Sequence, residues 1–179
     1  MRRYDLTAEM YDERYGEEQT ANYKIALENL KVDKDAVLDV GCGSGLFFKH
    51  IEQQANLVVG VDISRKSLLH AKKQSCLFQN IFLILADADY LPFEDSFFDA
   101  VFAFTVLQNV PNPIETLREV KRVAKQKSNA VMTGLKKTFT FDKFVAALEA
   151  AGFRIVFFAD YENLNCYVAV LESTCTSAT

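Results

Sequence analysis

The fold is decided by the stretch Val37-Leu38-Asp39-Val40-Gly41-Cys42-Gly43-Ser44-Gly45-Leu46. Its first four residues predict a short buried strand, and the apolar spacing that begins at Leu46 predicts a helix. Between them, three glycines at alternate positions predict a tight turn, because glycine tolerates positive φ and lets the main chain approach a ligand closely. The stretch therefore predicts a strand, a ligand-supporting turn and a helix.

A second acidic residue ends the next β-rich run, Val58-Val-Gly-Val-Asp62-Ile-Ser, 23 residues after Asp39. An ionised carboxylate accepts hydrogen bonds from both hydroxyls of a ribose and stays charged at neutral pH. We therefore expect Asp62 to bind the sugar of a nucleoside ligand.

From residue 36 onward, β-rich runs alternate with helical patterns, which is typical of a parallel sheet covered by helices on both faces. The predicted strands are Val37–Val40, Leu57–Val61, Ile81–Ala86, Phe98–Phe104, Ala130–Leu135, Phe153–Ala159 and Tyr167–Leu171. The predicted helices are Leu46–Gln53, Ser67–Gln74, Ile114–Lys125 and Phe141–Ala151, with one or two more before the sheet. Because only residues 161–165 separate the last two strands, we expect an antiparallel hairpin there. The prediction is a doubly wound α/β fold with seven strands, mostly parallel.

Length and composition favour one domain, since 179 residues that are 50% hydrophobic can bury one substantial core. We expect an N-terminal helical extension over residues 1–35, a core over 36–172 and a tail over 173–179. No apolar run approaches the ~20 residues of a membrane span, and the N-terminus is charged, so we expect a cytoplasmic protein without membrane contact. The four scattered cysteines form no C-x-x-C pair, which argues against disulfides and against a metal site.

The net charge of -4 disfavours a protein whose main work is unaided nucleic-acid binding. The charge is uneven, however, because residues 116–143 carry eight basic residues against two acidic ones. This basic segment fits either the solvated face of a helix and its following loop or a surface that contacts RNA.

These motifs resemble those of the class I S-adenosylmethionine-dependent methyltransferases. The stretch from Asp39 to Gly45 resembles their motif I, and Asp62 resembles their ribose-binding acid. Residues 86–88 resemble the adenine contact, and residues 98–107 resemble the fourth strand and the loop that ends it. The resemblance extends from about residue 36 to 172 and implies a Rossmann-like fold with S-adenosylmethionine as cofactor. The cofactor-binding residues that it implies are Asp39, Gly41, Cys42, Gly43, Gly45, Asp62, Ile63, Asp87, Ala88 and Phe104.

A nicotinamide or flavin dinucleotide domain is the competing interpretation, because it carries G-x-G-x-x-G at the same place. Here the third glycine is Gly45, one residue early, and Leu46 stands where that pattern requires glycine. The spacing favours the methyltransferase. A cofactor-binding subunit without catalytic activity also stays open.

Methyl transfer from a sulfonium requires alignment of the acceptor more than a catalytic base, so the catalytic residues stay unassigned. The acceptor-side candidates are Phe104, Thr105, Gln108, Asn109 and Tyr11. Gln108 and Asn109 have an alternative role as caps of the helix after Pro113, and Asp89 is expected to be solvated. Tyr4, Tyr11 and Tyr15 lie in a segment that resembles the lid of many family members.

Two acceptor classes stay open: RNA or an RNA-associated protein, which we favour slightly, and a small molecule. The link Lys136–Thr140 is too short to roof an acceptor pocket, which favours a large acceptor or a completing partner. Residues 103–110 resemble the corresponding stretch of methyltransferases that work with a small zinc-binding activator subunit. The sequence does not predict an oligomeric state.

Overall fold

The computed structural model describes residues 16–33 and 35–174, together with the backbone of residues 8–15. In chain order the elements are α1 (Ala8–Asn29), β1 (Asp35–Val40), α2 (Phe48–Ile51), β2 (Ala55–Asp62), α3 (Arg65–Ser75), β3 (Ile81–Leu85), β4 (Phe98–Ala103), a 3₁₀ turn (Leu107–Asn109), α4 (Pro113–Val123), β5 (Ala124–Leu135), α5 (Phe141–Ala150), β6 (Phe153–Ala159) and β7 (Cys166–Ser173). The strands form one sheet in the order β3-β2-β1-β4-β5-β7-β6. Strands β1 to β5 are parallel, and β7 runs antiparallel to both of its neighbours. The predicted fold class is confirmed.

The strand order reverses direction at β1, which pairs with β2 on one side and with β4 on the other. The connections that leave the carboxyl ends of β1 and β4 therefore diverge, and a crevice opens between them. In open α/β sheets, ligands bind at this point. The glycine turn after β1 lies at this crevice.

Both faces of the central strands are buried, so β1 and β4 are nearly continuous apolar runs. Helices α4 and α5 cover one face, where Leu38 packs with Leu117 and Phe144. Helices α1, α2 and α3 cover the other, where Phe102 packs with Phe47 and Ala26. The sheet is thus held rigidly from both sides beneath the crevice.

Strand β5 begins at Ala124, so the predictions of a strand start at Ala130 and a helix end at Lys125 are wrong. Residues 125–127 are polar and exposed, which hides the strand from a search for apolar alternation. The start of β5 is defined by backbone pairing of Ala124 with Phe98 of β4, and the register of the two strands shifts between Phe98 and Ala100.

Other boundaries also differ from the predictions. The helix after the glycine turn is only Phe48–Ile51: it begins two residues late, after Gly45 at φ +85°, and it ends two residues before the predicted Gln53. Strand β4 ends at Ala103, one residue early. In the described chain a single helix, α1, precedes the sheet, which agrees with the prediction of one or two helices there. Ser173, predicted to begin the tail, belongs to β7. None of the described helices combines the length and apolar character that crossing a membrane requires.

Candidate functional site

The three glycines of the turn all have positive φ, at +67° for Gly41, +56° for Gly43 and +85° for Gly45. A Cβ on Gly41 would lie 2.5 Å from Val106 Cγ2, and one on Gly45 would lie 2.5 Å from the ring of Phe48. A Cβ on Gly43 would meet no described atom within 4 Å. Gly41 and Gly45 therefore allow close packing, whereas Gly43 leaves bare main chain beside open space.

Three amide hydrogens of the turn, those of Cys42, Gly43 and Gly45, are already used within the protein. Cys42 N donates to Val61 O at 2.9 Å, and Gly45 N donates to Cys42 O at 2.9 Å. Gly43 N donates to Asp62 Oδ2, also at 2.9 Å. A dinucleotide pyrophosphate binds to free amides at this turn and to the positive end of the following helix. Here three of the amides are engaged and α2 has only four residues, so the geometry disfavours a dinucleotide.

Asp62 fastens the turn to the end of β2. Its Oδ2 accepts from Gly43 N, and its Oδ1 accepts from Ser64 N at 2.7 Å. Burial raises the pKa of this carboxyl above its ordinary value, and the two N–H bonds partly offset that effect. Each carboxylate oxygen has a second lone pair, so both can still accept a hydrogen bond from a ligand hydroxyl.

Asp39 is a buried acid whose negative charge is not neutralised or hydrogen-bonded by any described residue. Its side chain is 2% exposed, and no hydrogen-bond donor among the described residues reaches it. Burial, and then the nearby negative charge of Asp62, raise its pKa well above the ordinary value. A positively charged ligand group beside Asp39 would relieve both effects.

Cys42 lies between these two acids and is also buried. Burial raises the pKa of its thiol well above the ordinary value, and the charges of Asp39 and Asp62 raise it further. The thiol is therefore neutral at physiological pH, and it is unsuited to act as a nucleophile. Within the described residues, no group of three His, Cys, Asp or Glu is arranged to bind a metal ion.

Farther along the same edge of the sheet lie the residues expected at an adenine ring. Ile63 is half exposed beside Asp62, and the register places the exposed Leu85 opposite Asp62. Asp87 Oδ1 accepts from Asp89 N at 3.1 Å, which leaves its other oxygen available to a ligand. Ala88 is half-buried against the core. Leu85 was not predicted, because its place depends on strand register.

The sequence model of a family described as the methyltransferase domain matches residues 38–132 of this chain. The chain belongs to this methyltransferase domain family. Its cofactor is S-adenosylmethionine. The match covers the glycine turn, both acids and β4, and it ends within β5.

This methyltransferase domain is similar to curated proteins over part of their length. It is 36% identical over 125 residues to an uncharacterized protein of Methanocaldococcus jannaschii, an alignment that covers 69% of this chain and 56% of that protein. It is 36% identical over 106 residues to demethylmenaquinone methyltransferase of Staphylococcus aureus, which covers 57% of this chain and 44% of that protein. The chain therefore spans about half the length of the curated relatives it matches.

Solved structures share the fold of this methyltransferase domain over nearly its whole length. A SAM-dependent methyltransferase from Aquifex aeolicus superposes with a TM-score of 0.83 at 19% identity, covering 95% of this chain and 98% of that one. A putative methyltransferase solved in complex with the Trm112 methyltransferase activator of Haloferax volcanii also gives 0.83, at 17% identity, covering 96% and 98%. At these identities the likeness concerns the fold.

On the acceptor side, Thr105 is held in a left-handed conformation at φ +56°. A β-branched residue in this region costs about 1–3 kcal/mol, so its surroundings must enforce it. Thr105 N donates to Thr133 Oγ1 at 2.7 Å, and Thr105 Oγ1 accepts from Gln19 Nε2 at 3.0 Å. Sequence reasoning missed Gln19 and Thr133, because no local signal links positions so far apart in the chain.

Gln108 and Asn109 also hold Thr105. Both side-chain amides donate to the Thr105 carbonyl at 2.8 Å. The interpretation that they cap α4 is wrong, because Asn112 Oδ1 accepts from Ile114 N and performs that role. Asp89 is not merely solvated either, since it accepts a hydrogen bond from the buried hydroxyl of Thr116.

Phe104 is 6% exposed, and its ring packs at 4.6 Å from Tyr23 and at 5.1 Å from Phe47. Its side chain therefore belongs to the core between α1 and the sheet, and only its main chain follows the end of β4. The side chains of Tyr4, Tyr11 and Tyr15 lie outside the described residues.

The basic segment does not form one surface. Arg122 pairs with Glu119 at 2.6 Å and with Asp95 at 2.7 Å. The other ion pairs of the segment are Arg118–Glu115, Lys125–Asp99 and Lys136–Asp160. The end of α4 and the start of β5 lie at the edge of the sheet opposite the glycine turn, whereas residues 136–137 lie at the same edge as the turn. The interpretation as a solvated, ion-paired face is favoured.

Proposed function

We propose that this chain is a methyltransferase that transfers the methyl group of S-adenosylmethionine to an acceptor held above the carboxyl ends of β1 and β4. The observation that supports this most is the buried carboxylate of Asp39, without a partner in the described chain, below a glycine turn in which three amides are already hydrogen-bonded within the protein. This environment attracts a positively charged nucleoside and repels the pyrophosphate of a dinucleotide.

Each part of the cofactor has a matching group in the site. Asp39 would face the cationic methionine end, Asp62 would accept the ribose hydroxyls with its remaining lone pairs, and Gly43 would offer bare backbone. Ile63 would pack on the adenine ring, with the free oxygen of Asp87 as acceptor for its amine and the amide of Ala88 as donor to a ring nitrogen. The conformation of the turn is maintained by Gly41, Cys42 and Gly45.

When bound, S-adenosylmethionine supplies a methyl group on positively charged sulfur, and the sulfur leaves as a neutral thioether without prior protonation. The protein's own work is therefore to align the acceptor and to exclude water. The network of Gln19, Thr133, Gln108 and Asn109 fixes Thr105 at the end of β4, beside the crevice. We assign acceptor positioning to Thr105, with Asn109 as the exposed member of the group.

For the acceptor, we propose RNA or an RNA-associated protein. The support is the connection between β5 and α5, which comprises only residues 136–140 and adds no element over the crevice. A crevice that this connection leaves uncovered suits an acceptor group presented by a large molecule. The basic segment does not add to this argument, since most of its cations at the far edge are ion-paired.

A small molecule is the second candidate acceptor. It is favoured by the relatives named demethylmenaquinone methyltransferase, which match 51–57% of this chain. Those proteins are more than twice as long as the aligned segment, since it covers 38–44% of their length.

We further propose that a small zinc-binding activator subunit completes the site. The support is the similar fold of the methyltransferase solved with the Trm112 activator, together with the short connection between β5 and α5. Such a subunit would supply the cover that the short connection between β5 and α5 does not.

Calorimetry with S-adenosylmethionine, S-adenosylhomocysteine and NAD tests the cofactor, with Asp62→Ala as the variant that should lose binding. Labelled methyl transfer to total RNA, ribosomal protein and a quinone extract then tests the acceptor, with and without a purified Trm112-type activator. Binding of NAD alone would contradict the proposal. Tight binding of S-adenosylmethionine without label in any fraction would indicate a non-catalytic, cofactor-binding subunit.

A further inference from the structure

Strand β3 is an open edge of the sheet that lacks protection. It pairs with β2 on one side, and no other described strand pairs with its outer side. All five residues, Ile81-Phe-Leu-Ile-Leu85, are apolar, and the pairing shows no register shift. Phe82 is 55% exposed and Leu85 is similarly exposed. Proteins usually protect such edges with charges, proline or bulges, because unpaired backbone groups recruit other strands.

The opposite edge, β6, shows the protection that β3 lacks. Its register shifts between Ile155 and Phe157, and Arg154 pairs with Glu172 of β7. Val156, at 45% exposure, is its most exposed apolar side chain. One edge of the same sheet is therefore bulged and charged, while the other is regular and wholly apolar.

Helix α3 packs beside β3 and gives this edge a positive charge. Among the eleven residues of α3, four are basic and none is acidic, although the chain as a whole carries a net charge of -4. Lys72 and Lys73 are exposed in its last turn. Leu69 of α3 and Leu77, just after α3, are also exposed, the latter at 85%.

We propose that β3 and α3 together form a docking surface for an acidic protein subunit that adds a strand to β3. The main-chain groups of the added strand satisfy the open edge, its apolar side chains cover Phe82, and its acidic residues face Lys72 and Lys73. This inference deepens the proposal of an activator subunit and rests on it for the partner being a protein.

A second copy of the chain fits this surface poorly. Two-fold pairing of β3 with β3 places the two α3 helices on the same face beside each other. The last turn of each helix brings Lys72 and Lys73, and no residue of α3 is acidic, so these charges repel. RNA does not fit either, because a phosphate backbone does not continue a β-ladder and Phe82 would stay exposed.

Amide hydrogen exchange of the full chain tests the surface with a synthetic peptide that alternates glutamate and valine. The matched peptide carries lysine in place of glutamate. We expect the acidic peptide to slow exchange of the outward amides of residues 81–85 at least roughly tenfold, and the basic peptide to leave them unchanged. Phe82→Glu should abolish this protection, and Val156→Glu, on the other edge strand, should preserve it.

The double variant Lys72→Glu, Lys73→Glu changes only exposed side chains. We expect it to weaken binding of the acidic peptide about tenfold. All variants should bind S-adenosylmethionine like the wild type, so loss of the cofactor would count against the proposed function and not against this surface. Protection of β6, equal protection by both peptides or no protection would overturn the inference. Protection of β3 by self-association, without peptide, would assign the surface to a second copy instead.

Discussion

Replacing Asp39 by Asn should make the free chain more stable while it weakens cofactor binding. The carboxylate is 2% exposed, has no donor among the described residues and lies near the negative charge of Asp62. Asparagine has the same shape without the charge, so it removes the cost of burying an uncompensated anion. The same charge, on the proposed function, is what attracts the cationic end of S-adenosylmethionine.

The expected gain is about 1–2 kcal/mol in the free energy of unfolding near neutral pH, within the range that single stabilising substitutions commonly give. For a domain of this length it corresponds to a rise in Tm of roughly 2–8 °C. Because folding raises the pKa of Asp39, the wild type loses stability as pH rises from the ordinary aspartate pKa of about 3.9 through the folded value. The advantage of the Asp39→Asn variant over the wild type should therefore disappear in acid.

Thermal unfolding across this pH range, with calorimetry of S-adenosylmethionine, measures both effects. Asp99→Asn is the matched control with the opposite sign. Burial tends to raise the pKa of Asp99, but Lys125 and the Ala36 N–H outweigh it and hold that pKa below its ordinary value. Asp99→Asn should therefore lower Tm at neutral pH and leave cofactor affinity unchanged. An Asp39→Asn variant with lower Tm and undiminished affinity would refute the reasoning.

Three further predictions concern other parts of the chain. Gly43→Ala should fold, at a cost of about 1–2 kcal/mol for a side chain at positive φ, yet lose cofactor affinity in calorimetry. By contrast, Gly41→Ala should unfold at a much lower denaturant concentration than the wild type, because its Cβ collides with Val106. Asp62→Asn should weaken cofactor binding and speed amide exchange in the turn, since an amide accepts only one of the two N–H bonds; wild-type exchange and affinity would contradict this. Arg122→Ala should lower stability by about 1–2 kcal/mol by removing bonds to Glu119 and two main-chain carbonyls, without changing cofactor affinity; altered affinity would show coupling across the sheet.

The sequence predicts the strand, turn and acid pattern because those features are local. The three glycines follow a strand, and Asp62 ends the next one, so their meeting at one sheet edge follows from parallel pairing alone. The seven strands follow from alternating patterns of apolar residues, and the closing hairpin follows from a short polar connection. The fold and the cofactor family therefore needed no long-range information.

The sequence does not predict how the site is held together. Asp62, which is predicted to accept the ribose hydroxyls, also accepts a hydrogen bond from Gly43 N and so stabilises the turn. This hydrogen bond depends on the register of β1 and β2. Gln19 reaches Thr105 across 86 positions. The start of β5 was missed because polar residues there are held by backbone pairing instead of side-chain burial. All three depend on contacts between distant segments.

We propose that Asp39, Gly43 and Asp62 together hold a cationic nucleoside. A crystal structure of the chain with S-adenosylmethionine, which carries the positively charged sulfur, tests this most directly. We predict the ribose hydroxyls within hydrogen-bond distance of the Asp62 carboxylate, the main chain of Gly43 against the ligand and the amino acid end directed toward Asp39. A ligand bound elsewhere, or a turn left empty at saturating concentration, would contradict the account.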